Sequence, residues 1–424
     1  MKTKTLLINL SMSIVIILVA ISCNSEEKED FKKGIQASEK SEISLSPSTR
    51  SVANNLRDFY FRFTTDMAKY VDADARIDSK NVIASPISTS MTLGMIANGL
   101  NQESQNEICG YLGVDDLKSL NDLCKTLVSE LPKADNTATF NLANSIWTAS
   151  DHHLTDSFSS ISSDFFNAYI NHQNFSDNPT KAKDAINTWC SQHTQGIIPH
   201  FIDNIDPATI ISLMNAICFN APWHSNPFME ENTTTSLFHG SKGDSKVRMM
   251  KSNESDRFVA ADDDFEYFFL PLGNSAFNIH FLVPNKDISL EEATQKVSID
   301  RFSSLIKKAV LCPLTVHLPK FKLEGKYDIT DVLSAAGLSI LQNNPELPMF
   351  ENPVSGSIVF NQAASFSIDE SGVTAAAVTS GDIVNTLLPT EGQPYTVTVD
   401  HPFFFFITEF STGACILSGR IADL

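Results

Sequence analysis

The run from Gly372 to Ser380, Gly-Val-Thr-Ala-Ala-Ala-Val-Thr-Ser, limits what this chain can fold into more than any other stretch. Read as a strand with period two, one face carries Val373, Ala375, Ala377 and Thr379; the other carries Thr374, Ala376, Val378 and Ser380. Neither face bears a charge, and no proline occurs between Glu370 and Leu388, so every backbone N–H can join a ladder. Side chains this small fit between strands already packed on both faces. They also supply too little apolar bulk to anchor a core strand by themselves. An exposed loop or an Ala-rich helix start would use the same residues. The pattern also suits a segment that is a loop in one state and a central strand in another.

The residues that follow favour the two-state reading. Asp400-His401-Pro402-Phe403-Phe404-Phe405-Phe406-Ile407 is a sharp turn into a strongly apolar strand. Gly413-Ala414-Cys415-Ile416-Leu417-Ser418-Gly419-Arg420-Ile421 is a second β-rich run. Hinge, variable loop, Pro-Phe strand and Gly-x-Arg-Ile ending, in that order, resemble the C-terminal part of the serpins, a family of protease inhibitors.

Upstream segments extend the resemblance in order from about residue 53. Leu56, Phe59, Tyr60, Phe63, Met67 and Tyr70 have helical spacing. Asn81-Val82-Ile83-Ala84 reads as a short strand leading to Ser85-Pro86, with Ser85 near a helix cap and Pro86 in the first turn. The helix expected from Thr89 to Leu100 is apolar nearly all round and so should be buried. Phe140–Trp147 alternates as a central strand, and Ala185–Trp189 resembles the helix that lies across the central sheet. Leu213–Trp223 resembles the next long strand. The runs 267–272, 278–284 and 316–322 read as strands, and 331–338 as a helix. The resemblance implies an α+β serpin fold, with a multi-helix body around a large mixed central sheet, two smaller sheets and an exposed reactive loop at about 371–398.

It also implies a suicide-substrate mechanism. A protease attacks the loop, forms an acyl-enzyme, and is trapped when the loop inserts into the central sheet as a new strand. Glu370, Gly372, Val373, Thr374, Ala375, Ala376, Ala377 and Val378 correspond to the hinge. Counting the usual family distance from Glu370 puts the reactive bond between Thr386 and Leu387, with Val384, Asn385 and Leu388 as alternatives because the interval to Pro402 is longer than is common. Ser85, Ser88, Asn144, Asn215, Trp223 and Gln362 fall in the region where the sheet opens. Gln362 is a departure, since serpins usually carry histidine there. No Lys or Arg lies between Glu370 and Leu388, which disfavours trypsin-like targets. Elastase-, subtilisin- or chymotrypsin-like enzymes are the expected partners, with papain-like cysteine proteases also open. A non-inhibitory serpin-fold binding protein is the alternative, and a surface adhesin a more distant one.

A length of 424 residues allows one large domain or two to three average ones, and a hydrophobic content of 42% supports a sizeable core. A formal charge of −19 argues against a nucleic-acid partner and is compatible with a soluble monomer. Lys2 and Lys4 precede an apolar run from Leu6 to Ile21, which fits a secretory signal. Ala20-Ile21-Ser22-Cys23 resembles a bacterial lipobox, making Cys23 the expected lipidation site and residues 1–22 a cleaved lipoprotein signal peptide. A plain signal peptide containing a cysteine is the simpler alternative. Residues 24–30 form an acidic patch of the kind that directs some lipoproteins to the outer-membrane surface, though most such runs are only solvated. Residues 23–50 then read as a flexible tether and 51–424 as the folded domain.

Other chemistries lack their signatures. No Gly-x-Ser-x-Gly, P-loop, His-Glu-x-x-His or Cys-x-x-Cys motif occurs, so neither an enzyme nor a cofactor or metal is expected. His152, His153, His193 and His200 read as surface or capping residues. Cys109, Cys124, Cys190, Cys218, Cys312 and Cys415 read mostly as buried free thiols, with pairing not deducible from spacing.

Overall fold

Helix α1 (Pro47–Ala73) starts at a defined stop in the chain: Ser46 accepts a hydrogen bond from the Thr49 N–H, and Pro47 occupies the first turn. It buries Leu56, Phe59, Tyr60, Phe63 and Met67 along one stripe. The helix therefore begins before residue 50, where the tether was expected to end, and Ile43 ahead of it is already buried. A computed structural model describes residues 40–341, 344–373 and 388–424. The leader, Cys23, the acidic patch, most of the tether, and Thr374 to Leu387 lie outside the described residues.

Strand β1 (Val82–Ala84) runs into Ser85, whose side chain caps α2 (Pro86–Ala97) by accepting from the Ser88 N–H. Every residue of α2 is buried, as its all-round apolar sequence requires. Helices α3 (Gln102–Leu112) and α4 (Leu117–Glu130) lead to β2 (Thr139–Ala149). Helix α5 (Asp156–Phe166), β3 (Ala168–Gln173), α6 (Pro179–His193) and β4 (Ile211–Asn220) follow. Five strands come next: β5 (Thr234–Gly240), β6 (Gly243–Lys251), β7 (Ser255–Ala261), β8 (Phe265–Leu272) and β9 (Phe277–Pro284). Helices α7 (Leu290–Lys296) and α8 (Ile299–Lys308) precede the long β10 (Val310–Asp328) and α9 (Ile329–Ala335). The chain closes with β11 (Glu346–Leu347), β12 (Val354–Ser355), β13 (Ile358–Ile368), β14 (Tyr395–Thr398), β15 (Phe403–Glu409) and β16 (Cys415–Ile421).

The central layer has the order β10–β13–β4–β2–β3. It is mixed: β10/β13 and β4/β2 are antiparallel, while β13/β4 and β2/β3 are parallel. A second layer, β1–β16–β15–β9–β8–β7, is antiparallel and holds the phenylalanine-rich runs, with Phe403 to Phe406 fully buried. A third group joins β5, β6 and β14 to β10. The large mixed central sheet is as expected, and one strand links it to the other two groups. Residues 321–328 of β10 pair with β13, whereas its earlier residues pair with β7, β14 and β6. Among the described residues only the short β11/β12 pair stands apart. The loop expected to run to residue 398 gives way sooner, because Tyr395–Thr398 are already paired with β10.

Helix α6 lies over the central layer. Its Ile186, Trp189 and Cys190 cluster with Trp147 of β2, Met214 and Ala216 of β4, and Ala363 of β13. The opposite face of β4, carrying Leu213, Ile217 and Phe219, belongs to the main core. Alternate residues of β4 thus face different layers, as the strand period demands.

Candidate functional site at the upper seam of the central sheet

The parallel ladder between β13 and β4 runs from Ile358/Ile211 to Ala364/Ile217. Both strands continue beyond it, to Ile368 and Asn220, so the seam loses its cross-strand pairing at one end, here called the upper end. The start of the predicted hinge sits there. After β13 the chain reverses at Glu370-Ser371, with the Asp369 N–H donating to the Gly372 carbonyl at 2.8 Å. Gly372 then bridges Pro222 in antiparallel fashion: the Val373 N–H donates to the Ala221 carbonyl at 3.0 Å, and the Trp223 N–H to the Ser371 carbonyl at 3.2 Å. The indole N–H of Trp223 donates to the Asp369 carbonyl at 2.5 Å. The side chain of Val373 is buried in the main core.

Glycine is required at this point. Gly372 has φ +153°, and a Cβ there would lie against the Ala221 carbonyl and the Pro222 backbone, neither of which can yield cheaply. Glu370 is held by two side chains that the sequence reading did not single out. Its carboxylate accepts from Thr233 Oγ1 at 2.7 Å and pairs with Lys320 Nζ at 2.9 Å. Burial opposes the Glu370 charge, but the hydrogen bonds from Thr233 and Lys320 outweigh it and hold the carboxyl below its usual range. Asp369 behaves oppositely. One oxygen accepts from the Ser371 N–H at 2.7 Å, the other is buried without a partner among the described residues, and burial pushes the carboxyl up.

Lower in the seam, Tyr327, Gln362, Asn215 and Asn144 occupy one level across four strands. Gln362 faces α2: its Oε1 accepts from the Ser85 N–H at 2.8 Å, and its Nε2 donates to the Ser85 carbonyl and to Thr89 Oγ1, each at 3.0 Å. Ser85 and Ser88 share a hydroxyl contact of 2.7 Å. Asn215 instead donates to Asn144 Oδ1 at 2.7 Å, and Asn144 donates to the Phe166 carbonyl at 2.8 Å. These residues form two hydrogen-bonded sets, with no hydrogen bond joining them among the described residues. Thr89 was not anticipated, although its place one turn after Ser85 on a buried helix start signals it.

Of the predicted site residues, the structure brings Glu370, Gly372, Val373 and Trp223 together at the upper seam, and Ser85, Ser88, Gln362, Asn144 and Asn215 at the level below. Thr374, Ala375, Ala376, Ala377, Val378, Val384, Asn385, Thr386 and Leu387 fall outside the described residues. Leu388, where description resumes, is 67% exposed. The histidines show no metal grouping among the described residues. His193 ends α6, with Nδ1 on the Trp189 carbonyl. All six cysteines among the described residues are free thiols, five of them buried.

The family model for serpins, serine protease inhibitors, matches residues 59–424. The chain belongs to the serpin family. Iripin-2 of Ixodes ricinus is 28% identical over 81% of this chain and 88% of its own. The leukocyte elastase inhibitor of Xenopus laevis is 26% identical over 87% and 99%. Among solved structures, the thermophilic serpin tengpin in its native state superposes with a TM-score of 0.74 at 26% identity, covering 91% of this chain and 96% of that one.

Proposed function

We propose that this serpin is an inhibitory member that traps serine proteases by inserting its loop between β4 and β13. The observation that carries the reading is the antiparallel Gly372/Pro222 bridge at the open end of a parallel seam. In the inserted state, continuing that register would put Ala375 opposite Phe219, Thr379 opposite Asn215 and Ile383 opposite Ile211. Partners share a face, so Val373, Ala375, Ala377, Thr379 and Ile383 go toward the main core, while Thr374, Ala376, Val378 and Ser380 go toward the α6 side. Insertion replaces one parallel interface by two antiparallel ones, each slightly more stable per residue. Ordering a residue costs about 1–2 kcal/mol, comparable with the net gain of about 1 kcal/mol per hydrogen bond. Small side chains that enter without strain or buried charge therefore decide the outcome. The native state persists kinetically, because α6 and the closed ladder must give way first.

The reactive bond of this reading is Thr386–Leu387, with Val384, Asn385 and Leu388 as neighbouring choices, and the targets are elastase-, subtilisin- or chymotrypsin-like proteases, with papain-like cysteine proteases as a further class. Lipidation at Cys23, after removal of residues 1–22, would anchor the domain to the outer membrane through the acidic tether, facing outward as a monomer. The test is incubation with neutrophil elastase followed by denaturing electrophoresis. A complex surviving boiling, with cleavage after Thr386 or a neighbour, supports the reading. Clean cleavage with no rise in melting temperature overturns it in favour of a non-inhibitory binding protein. Mass spectrometry of the mature N-terminus tests Cys23.

A further inference from the structure

A cleft of about 480 Å³ opens between β3, the edge strand of the central layer, and α6, away from the hinge. Two of the chain's three tryptophans line it. Trp147 meets Trp189 edge to face at 6.3 Å, Tyr169 stacks on Trp189 at 6.3 Å and 20°, and His193 leans on Trp189 at 4.7 Å. Aromatic clustering alone would be ordinary packing. Two observations separate this cluster from that reading.

The first is an unpaired donor. Trp189 is only 5% exposed, yet its Nε1–H has no hydrogen-bond partner among the described residues. Trp147, 2% exposed, donates its Nε1–H to Ser145 Oγ at 2.8 Å. The second is a rim that offers donors and acceptors together. Gln173 donates to Asn171 at 2.6 Å, and Asn171 donates to the Tyr169 hydroxyl at 2.8 Å, which leaves that hydroxyl's own hydrogen available. The Nδ1 of His193 faces the Trp189 carbonyl at 2.8 Å and so carries the proton, leaving Nε2 an acceptor in the neutral ring. Gln192 and Thr188 add further two-way groups, while Lys181 and Asp184 bring one charge of each sign to the lining.

We propose that this cleft binds a neutral saccharide. A pyranose has an apolar C–H face to lie on Tyr169, which is 43% exposed, and a rim of hydroxyls that each donate and accept. An ion of either sign would meet one matching and one opposing charge, and the overall −19 works further against polyanions. A flat apolar ligand would bury the rim amides unpaired. The volume lies within the usual range for small-molecule sites. Trp189 Nε1 itself has no accessible surface, so a shift of the stacked Tyr169 ring on binding would have to precede a sugar hydroxyl accepting from it and satisfying the buried donor.

The test titrates the purified protein with maltose, cellobiose, lactose and N,N′-diacetylchitobiose, followed by tryptophan fluorescence and calorimetry. At least one sugar should saturate. Trp189→Phe keeps the ring and deletes the N–H, and should weaken binding roughly tenfold. Tyr169→Ala should weaken it at least about as much by removing the platform. Gln192→Ala, on the exposed face of α6, leaves the core untouched and should cost a few-fold, which keeps the test valid if either aromatic variant misfolds. The proposal falls if no sugar saturates up to roughly tens of millimolar, or if all folded variants bind as tightly as the parent.

Discussion

The upper and lower ends of the β4/β13 seam are built from the same two strands, yet one is closed and the other open. Below Ala364/Ile217 the strands pair in parallel, α6 covers Met214, Ala216 and Ala363, and Gln362 ties the seam to the α2 cap. Above that level the ladder stops, and the Ala221 carbonyl and Trp223 N–H are taken by the first hinge residues. Composition does not separate the two ends, since β4 is buried along nearly its whole length. Partner supply does. An unpaired backbone group in the interior is costly, so the open end takes its partners from the chain returning after β13, which arrives antiparallel.

The largest expected effect breaks this comparison by preventing the upper end from spreading downward. Ala377→Glu would place a carboxylate on the core face of the inserted strand, at a cost of several kcal/mol. If loop insertion traps elastase as proposed, the yield of stable complex should fall by about 100-fold or more, with the protein cleaved as a plain substrate. Ala376→Glu, on the other face, should lose clearly less. Equal loss in the two variants would remove the register argument.

Gly372→Val attacks the upper end directly. The new Cβ collides with the Ala221 carbonyl and Pro222, so Val373 must leave the core, at roughly 1–3 kcal/mol. Urea denaturation should show a lowered midpoint, accompanied by a change in Trp223 emission. An unchanged midpoint would mean that the docked hinge contributes nothing.

Gln362 sharpens the lower end. Gln362→Ala leaves the buried Ser85 N–H unpaired and should cost about 1–3 kcal/mol. The parent has no titrating side chain at this position, so its stability should show no step from it near pH 6–7, whereas Gln362→His should introduce one. A parent step that survives in Gln362→Ala must come from elsewhere.

The smallest effect concerns the two carboxylates at the turn. The folded pKa of Glu370 is lowered, so its contribution is present above the unfolded value and lost as pH falls through the folded one. The folded pKa of Asp369 is raised, so the native state binds the extra proton between the two values and stability declines as pH rises through that window. Asp369→Asn should therefore raise the neutral-pH melting temperature by roughly a degree or two and flatten the profile just above the ordinary Asp range. A fall would show that the Ser371 contact outweighs the buried, unpaired oxygen.

Much of this architecture was legible in advance because it rests on local rules. Ser85-Pro86 announces a capped helix, and the all-apolar α2 announces its burial. Continuous Phe runs announce strands covered on both faces. The boundaries were less legible: α1 begins at Pro47 because Ser46 caps it, and β14 claims residues assigned to the loop. At the site, Glu370 and Gly372 stood out, whereas Lys320, Thr233 and Thr89 did not. Each contributes one ordinary polar side chain whose meaning comes only from a distant partner.

The sequence by itself determined the serpin class and a run from Gly372 to Ser380 free of bulk and charge, because composition is a property of single residues and their neighbours. That residue 372 must be glycine comes from its φ and its approach to Ala221 and Pro222. Only the tertiary structure decided where the seam is open, which way Gln362 points, and that Trp189 has an unpaired indole N–H beside a cleft. Those features depend on register between strands far apart in the chain, and register is set by the packing of the whole body.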